Sequence, residues 1–239
     1  MKDHNKTPAV VNWTGYLAMT MLLILPIAVL TVRSGAWQEG LLLYAISCLG
    51  AALLLLVSIV MLVLPRFGHW RKAISMRAII MLPGALLLLS LAGGSGDYPP
   101  IHDITTDIDD PPIFTVAPKQ RSAGANSLEL DSEVMSQQQQ AYADIQTIVS
   151  EAAIDEVFDR AVQVATNLGW DIYHQDRNTG VIEAVDTTRI MGFKDDVMIR
   201  VRSNAQGTLL DLRSSSRVGV SDLGANAKRI RAFVQAFNQ

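Results

Sequence analysis

The chain has 239 residues, of which 49% are hydrophobic, 18% charged and 6% aromatic, with a formal net charge of −3 and a mean hydropathy of +0.24. Soluble globular proteins carry about 25% charged residues, so this balance excludes a single water-soluble domain, and the apolar content excludes a mainly disordered chain. The charge is divided: residues 1–96 hold seven Lys/Arg against two Asp/Glu (net +5), whereas residues 97–239 hold thirteen against twenty-one (net −8), which disfavours a nucleic-acid partner for the second half.

Residues 1–96 read as a membrane domain with three transmembrane helices, at about 13–33, 40–64 and 73–92. Trp13 to Val32 and Gly40 to Leu64 contain no charge. Twenty residues rising about 1.5 Å each cover the roughly 30 Å hydrocarbon core, so both runs can span. The third run carries Arg77, near enough to its end to snorkel, and Pro83, tolerated in a membrane helix with a kink. Lys2, Lys6, Arg66, Arg71, Lys72 and Arg77 share one side of such a topology and Arg33 stands alone on the other. The positive-inside rule then places the N-terminus in the cytoplasm and the acidic half outside it, with the lipid bilayer as the first partner. A cleavable signal peptide would have a shorter apolar region than the first run; processing after the third run, at Leu91-Ala-Gly-Gly94, would release the acidic half and is the alternative. The only cysteine, Cys48, falls in the second span, so the outer half has no thiol for a disulfide, a metal site or a nucleophile.

Residues 97–149 read as an extended acidic and proline-rich segment followed by a Gln-rich loop. Gly93-Gly-Ser-Gly96 has the composition of a hinge, and Pro99-Pro100 and Pro111-Pro112 bracket the stretch from His102 to Asp110. From Lys119 to Gln140 the composition predicts a mobile loop leading to a short helical turn near Tyr142.

Residues 150–239 read as a compact α+β domain: a four-stranded antiparallel sheet with two helices on one face. Asp155 to Leu168 repeats apolar residues at helical spacing and stops at Gly169. The period then becomes two, giving strands from Trp170 to His174, Val181 to Val185, Asp196 to Arg202 and Thr208 to Ser214, with turns at Arg177–Gly180 and Asn204–Gly207. A last helix opens at Ser221-Asp222 as N-cap, with Leu223, Ala227, Ile230, Val234 and Phe237 on one face. If Val197, Ile199, Val201, Leu210 and Leu212 face the helices, then Met198, Arg200, Arg202, Asp211 and Arg213 face away. That second face is either solvated, with cross-strand ion pairs, or covered by an acidic clamp of Asp103, Asp107, Asp109 and Asp110 folding back onto its arginines.

Two stretches resemble a bacterial and plastid family known only as domain of unknown function fourteen ninety-nine. They are Pro100-Ile-His-Asp-Ile-Thr-Thr-Asp-Ile-Asp-Asp-Pro-Pro-Ile-Phe114 and Ser216-Arg-Val-Gly-Val-Ser-Asp-Leu-Gly-Ala-Asn-Ala-Lys-Arg-Ile-Arg-Ala-Phe233. Tyr142-Ala-Asp-Ile, Leu168-Gly-Trp170 and Thr188 to Val197 add weaker similarity, so that the resemblance spans roughly 98–237. Ala143 and Val220 depart from the pattern, where the family has proline and a basic residue. The resemblance implies a membrane-anchored member; with the charge distribution above, the expectation is a multi-pass protein of the bacterial inner membrane with a periplasmic domain. It supplies no reaction.

The residues themselves give little support to catalysis. There is no Gly-x-Ser-x-Gly, and the outer half offers only His102 and His174 as imidazole bases. The aspartates of 103–110 lack the spacing of a calcium loop, and no metal or cofactor is expected. The densest polar constellation is Arg189, Lys194, Asp195, Asp196, Arg217, Asp222, Asn226 and Arg229, which antiparallel pairing gathers at one end of the sheet. It is either a structural corner holding the turn or a pocket for an anion. The sequence therefore points to a non-enzymatic protein whose outer domain binds or organises an envelope protein, lipid or polymer. The alternative is an envelope hydrolase built on this carboxylate and arginine corner, with or without a metal.

Overall fold

The computed structural model describes residues 6–93, 98–129, 131–205 and 207–239. The chain divides into two compact units, Met1–Ser95 and Gly96–Gln239. Of the expected hinge Gly93–Gly96, Gly93 ends the third helix and 94–96 lie outside the described residues; the processing position Leu91–Gly94 likewise has 91–93 in that helix and 94 outside them.

The first unit is three helices, α1 (Ala9–Arg33), α2 (Trp37–Val63) and α3 (Arg71–Gly93), the last two joined by a 3-10 turn at Pro65–Trp70. Each of the three is long and apolar enough to cross a membrane. Their outward residues, among them Leu23, Leu30, Leu53, Leu56 and Val63, are exposed leucines and valines. A soluble bundle would bury that surface, whereas lipid solvates it. Where the helices meet, small residues let them approach: a Cβ on Gly84 would lie 2.7 Å from the Ala51 Cβ, and one on Gly50 would lie 2.5 Å from the Met21 sulfur. Ser47 donates to the Met21 carbonyl at 2.6 Å. Arg77 donates to Asn12 Oδ1 at 3.1 Å and to the Ala73 carbonyl at 2.9 Å, so its guanidinium is held by α1 and its own helix.

The second unit is an antiparallel sheet of six strands, two more than the periodicity predicts. The four expected strands are β3 (Asp171–Asp176), β4 (Val181–Thr187), β5 (Lys194–Asn204) and β6 (Gly207–Ser216). The additional ones, β1 (Asp103–Thr105) and β2 (Ile148–Ser150), both pair with β6, in the order β1-β6-β5-β4-β3 with β2 beside the other end of β6. Three residues are too few to show alternation, and β1 includes an aspartate that is buried because a partner faces it. The segment before residue 150 is thus not a free linker. Its Gln-rich part forms α5 (Ser132–Ala141), capped by the Asp131 carboxylate on the Glu133 amide at 2.8 Å, and a four-residue turn of helix, α4 (Ala117–Gln120), precedes it.

Two helices cover one sheet face. In α6 (Ile154–Asn167), Val157, Ala161, Val164 and Ala165 point inward, and Asp155 and Glu156 sit in the first turn, where the helix dipole favours acids. α7 (Ala225–Phe237) buries Ala227, Ile230, Phe233 and Phe237. These meet Val197, Ile199, Val201, Leu210 and Leu212 in one core, in which Trp170 stacks on Phe233 with centroids 5.5 Å apart. The start of α7 corrects the sequence reading: the N-cap is Gly224 in the left-handed region, and Leu223 is exposed outside the helix. Asp222 caps from a distance, its two oxygens accepting the Gly224 and Asn226 amides at 2.8 Å each. At the β3–β4 turn Gly180 has φ +69°, and a Cβ there would lie 2.0 Å from the Val201 carbonyl oxygen, so no other residue fits.

The opposite face is covered as well. Phe114 and Ala117 pack on Met198, with Leu128, Tyr173 and Val181 beside them, so the chain from 114 to 128 lies across the arginine-bearing side of the sheet.

Candidate functional site

Successive residues of a strand point to opposite faces, and this divides the polar constellation into two clusters. Asp195 and Asp196 stand opposite Ser216 and Ser215 in the β5–β6 register. Asp195 faces α7, and Asp196 faces the covering segment.

On the α7 side, Arg229 is the hub. It pairs with Asp195, its Nε meets Asp186 Oδ2 at 2.7 Å, and one terminal nitrogen donates to Ser214 Oγ at 3.0 Å. Asn226 joins the same group, donating to the His102 carbonyl at 2.9 Å and to Ser216 Oγ at 3.0 Å while accepting from Ser214 at 2.7 Å. Asn226 and Asp195 are buried, so the first turn of α7 is bolted to β5, β6 and the chain entering β1. Burial pushes the Asp222 carboxyl above its ordinary value, against the pull of the two amides it accepts.

On the other side Asp196 is fully buried, with both oxygens committed. Arg121 Nε approaches Oδ2 at 2.8 Å, and Arg217 grips both oxygens, Nε at 3.0 Å and a terminal nitrogen at 2.7 Å. The guanidiniums are satisfied in turn: Arg121 donates to the Asn126 carbonyl at 2.8 Å and Arg217 to the Gln120 carbonyl at 3.0 Å. Burial lowers the Arg121 guanidinium from its ordinary value, with Asp196 opposing the shift. Next to this pair, Glu183 sits in the middle of β4 with no solvent exposure and accepts from the Thr115, Val116 and Ala117 amides at 2.6, 2.9 and 2.7 Å and from the Thr115 hydroxyl at 2.5 Å. Burial alone would raise this carboxyl; the Thr115 hydroxyl and the three amides outweigh it and hold it below the usual range. Tyr173 bridges the two carboxylates, 3.4 Å from Glu183 and 3.3 Å from Asp196, and burial together with those charges pushes its hydroxyl far up.

The acidic stretch continues the pattern along the face. Asp103 meets Arg213 through two parallel bonds of 3.0 and 2.8 Å, and Arg213 also donates to the Pro112 and Leu128 carbonyls and stacks on the Phe114 ring at 5.2 Å. Asp107 accepts from Arg202 at 2.6 Å and Arg200 at 3.3 Å, and its other oxygen turns the backbone by accepting the Asp109 and Asp110 amides. Asp110 pairs with Arg200 at 3.0 Å, and Asp211 accepts from both Arg200 and Arg202. Asp109 contributes its amide to this turn.

The structure therefore brings Asp195, Asn226 and Arg229 together with Asp222 nearby, and Asp196 together with Arg217, but on opposite sides of the sheet. Arg189 and Lys194 are exposed near the β4–β5 turn, and the Lys194 carbonyl accepts the Arg217 amide at 3.1 Å. Arg121, Tyr173, Asp186 and Glu183 are members that sequence reasoning missed. Glu183 carries a readable signal, a lone charge inside Val-Ile-Glu-Ala-Val, whereas Arg121 in its Ser/Ala/Gly surroundings carries none. Shallow clefts lie at the margins. One of about 430 Å³ is lined by Asp107, Asp109, Tyr142 and Gln146, and one of about 300 Å³ by Trp170, Asp186, Lys228 and Arg229. Among the described residues no three of His, Cys, Asp or Glu gather closely enough to hold a metal ion.

In a comparison with known families, the sequence pattern described as "Protein of unknown function (DUF1499)" matches residues 103–237, from the first residue of β1 to the last of α7. No curated protein matches the chain.

Proposed function

Because the chain belongs to the DUF1499 family, whose function is unknown, and adds to it three helices apolar enough to span a bilayer, we propose that it is a multi-pass inner-membrane protein whose C-terminal unit lies outside the cytoplasm and binds or organises a component of the cell envelope without catalysing a reaction. The observation that carries the non-enzymatic reading is the closure of the polar face. Asp196 has both oxygens bound by Arg121 and Arg217 and no exposure, Glu183 is saturated by three amides and a hydroxyl, and Asp103 is locked on Arg213. A general acid or base needs an accessible proton path and a place for substrate within hydrogen-bond reach; Asp196 and Glu183, fully buried, have neither, and Asp103, at the edge of a cleft of about 170 Å³, has both oxygens on Arg213. Buried ion pairs of this kind hold one conformation in place and are weak sources of net stability, which suits a rigid surface presented to a partner.

The proposed orientation rests on Lys2, Lys6, Arg66, Arg71, Lys72 and Arg77 against Arg33 alone. Single cysteines at Ser34, His69 and Ser122 in a Cys48→Ala background, labelled on intact cells with a membrane-impermeant maleimide, test the arrangement. Labelling at 34 and 122 with protection at 69 supports the proposal; labelling at 69 with protection at 122 overturns it.

A further inference from the structure

From the loop that leads into α7 we infer a lipid-docking surface: Tyr98, Val220 and Leu223 insert at the headgroup and acyl-chain boundary of the membrane that anchors the chain. This rests on the membrane-spanning reading above and names the bilayer surface as a partner of the C-terminal unit.

Leu223 is the only non-glycine residue with positive φ among those described, at 52°, and it is followed by Gly224 at 79°. Leucine seldom visits that region, which Gly, Asn and Asp occupy far more readily. Two left-handed residues in succession turn the Leu223 side chain away from the core and leave it 64% exposed. Val220, three residues earlier, is 77% exposed. Tyr98, 43% exposed, stands beside them: a Cβ on Gly224 would lie 2.6 Å from its ring. Hydrogen bonds from Ser221 Oγ to the Pro99 carbonyl at 3.3 Å and from the Asp222 amide to the Ile101 carbonyl at 3.1 Å fasten the two segments together. Scattered exposed apolar residues need no explanation, but three on one fastened loop pair, one of them held in a strained conformation, gain nothing from water.

The covalent chain supplies the occupant. Tyr98 follows Gly93, the last residue of α3, by five residues, a reach of at most about 18 Å at 3.3–3.6 Å per residue. The headgroup zone on each side of the hydrocarbon core is itself several ångströms deep. A patch tethered this close to the end of a membrane span meets the bilayer surface before any soluble partner does, and tyrosine is among the residues enriched at that depth.

The test uses the full chain in vesicles of phosphatidylethanolamine and phosphatidylglycerol, with Cys48→Ala and a nitroxide attached to one new cysteine at a time. Val220→Cys and Leu223→Cys probe the patch, Ile113→Cys is the exposed control and Leu53→Cys reports the second helix. Accessibility to dissolved oxygen is compared with accessibility to a water-soluble nickel chelate. The inference expects labels at 220 and 223 to favour oxygen several-fold over the label at 113, in the direction of the label at 53. If 220 and 223 behave as 113 does while 53 is lipid-exposed, the docking surface is wrong and the spans stand. Protection at 220 and 223 from both reagents would mean a protein partner and also overturns it. If 53 is water-exposed, the spanning reading fails and takes the inference with it. Val220→Cys leaves the strained position untouched, so a folding defect at 223 does not decide the outcome.

Discussion

Asp196→Asn converts a carboxylate that, like Glu183 and Asp211, is fully buried on the sheet into an amide and leaves Arg121 and Arg217 facing each other. Both guanidiniums touch Asp196 Oδ2, at 2.8 and 3.0 Å, and the Arg121 side chain is only 4% exposed. Breaking a buried pair by removing one partner costs about 3–5 kcal/mol, because the remaining charge has lost its counter-ion and cannot reach water. Here the carbonyls of Asn126 and Ser215 still accept from Arg121, and Arg217 is partly exposed, so the expected loss lies at the lower end, about 3 kcal/mol. Against a typical domain stability of about 5–15 kcal/mol that is a large fraction, and it leaves the fold marginal. Hydrogen exchange on the full chain reads it directly: peptides from β5 and β6 should exchange about 100-fold faster, at 1.4 kcal/mol per tenfold. The companion variant Asp196→Leu with Arg121→Met removes charge from both sides and should recover part of the loss, since apolar replacement of a buried pair is often near neutral. A change below about 1 kcal/mol in Asp196→Asn would show that the pair is solvated and would refute the closed-face argument.

Three further outcomes follow from particular contacts. Gln138→Ala removes a fully buried amide that accepts from the Thr105 N–H at 3.0 Å and donates to its carbonyl at 2.5 Å, so β1 loses about 1–3 kcal/mol of local stability, visible as faster exchange at Thr105 with β4 and β5 unchanged. Glu183 has its folded carboxyl below the unfolded value, so its contribution is complete above about pH 4.5 and is lost as pH falls through the lower folded value. Denaturant midpoints in Glu183→Gln should therefore be lower near neutrality and flatter with acid than in the parent. Gly180→Ala places a methyl against the Val201 carbonyl in a left-handed turn, and a loss of more than about 2 kcal/mol is expected, with the β3–β4 hairpin opening first in exchange measurements.

Long periodic segments were legible in the sequence because packing there follows period. The apolar runs give α1 to α3, and the switch from helical spacing to alternation gives α6 and β3 to β6 within a few residues. Alternation also places Met198, Arg200, Asp211 and Arg213 on the face away from the helices. The same rule argues against treating Asp195 and Asp196 as one corner, since neighbours on a strand cannot share a side; β5 sends one to Arg229 and the other to Arg217. What covers the arginine face was harder to read. β1 and β2 are three residues each, and their pairing with β6 depends on partners about 60 to 110 positions away in the chain. Gln138 looks like part of a polar tract until its amide is seen mimicking a strand partner for Thr105. Asp222 has the composition of an N-cap, yet the left-handed pair at 223 and 224 delays the helix by a short turn.

Arg121, Arg213, Arg217 and Arg229 are committed to internal ion pairs that hold the shape of the C-terminal unit. Phenylglyoxal modification of the native full chain, followed by mass spectrometry, tests this most directly, because the reagent needs an accessible guanidinium. Arg121, Arg213 and Arg229, whose side chains are at most 6% exposed, should stay unmodified while Arg177 and Arg231, each 48% exposed, react. Modification of Arg121 and Arg213 at the rate of Arg231 in the folded protein would contradict the account and reopen the face as a binding or catalytic site.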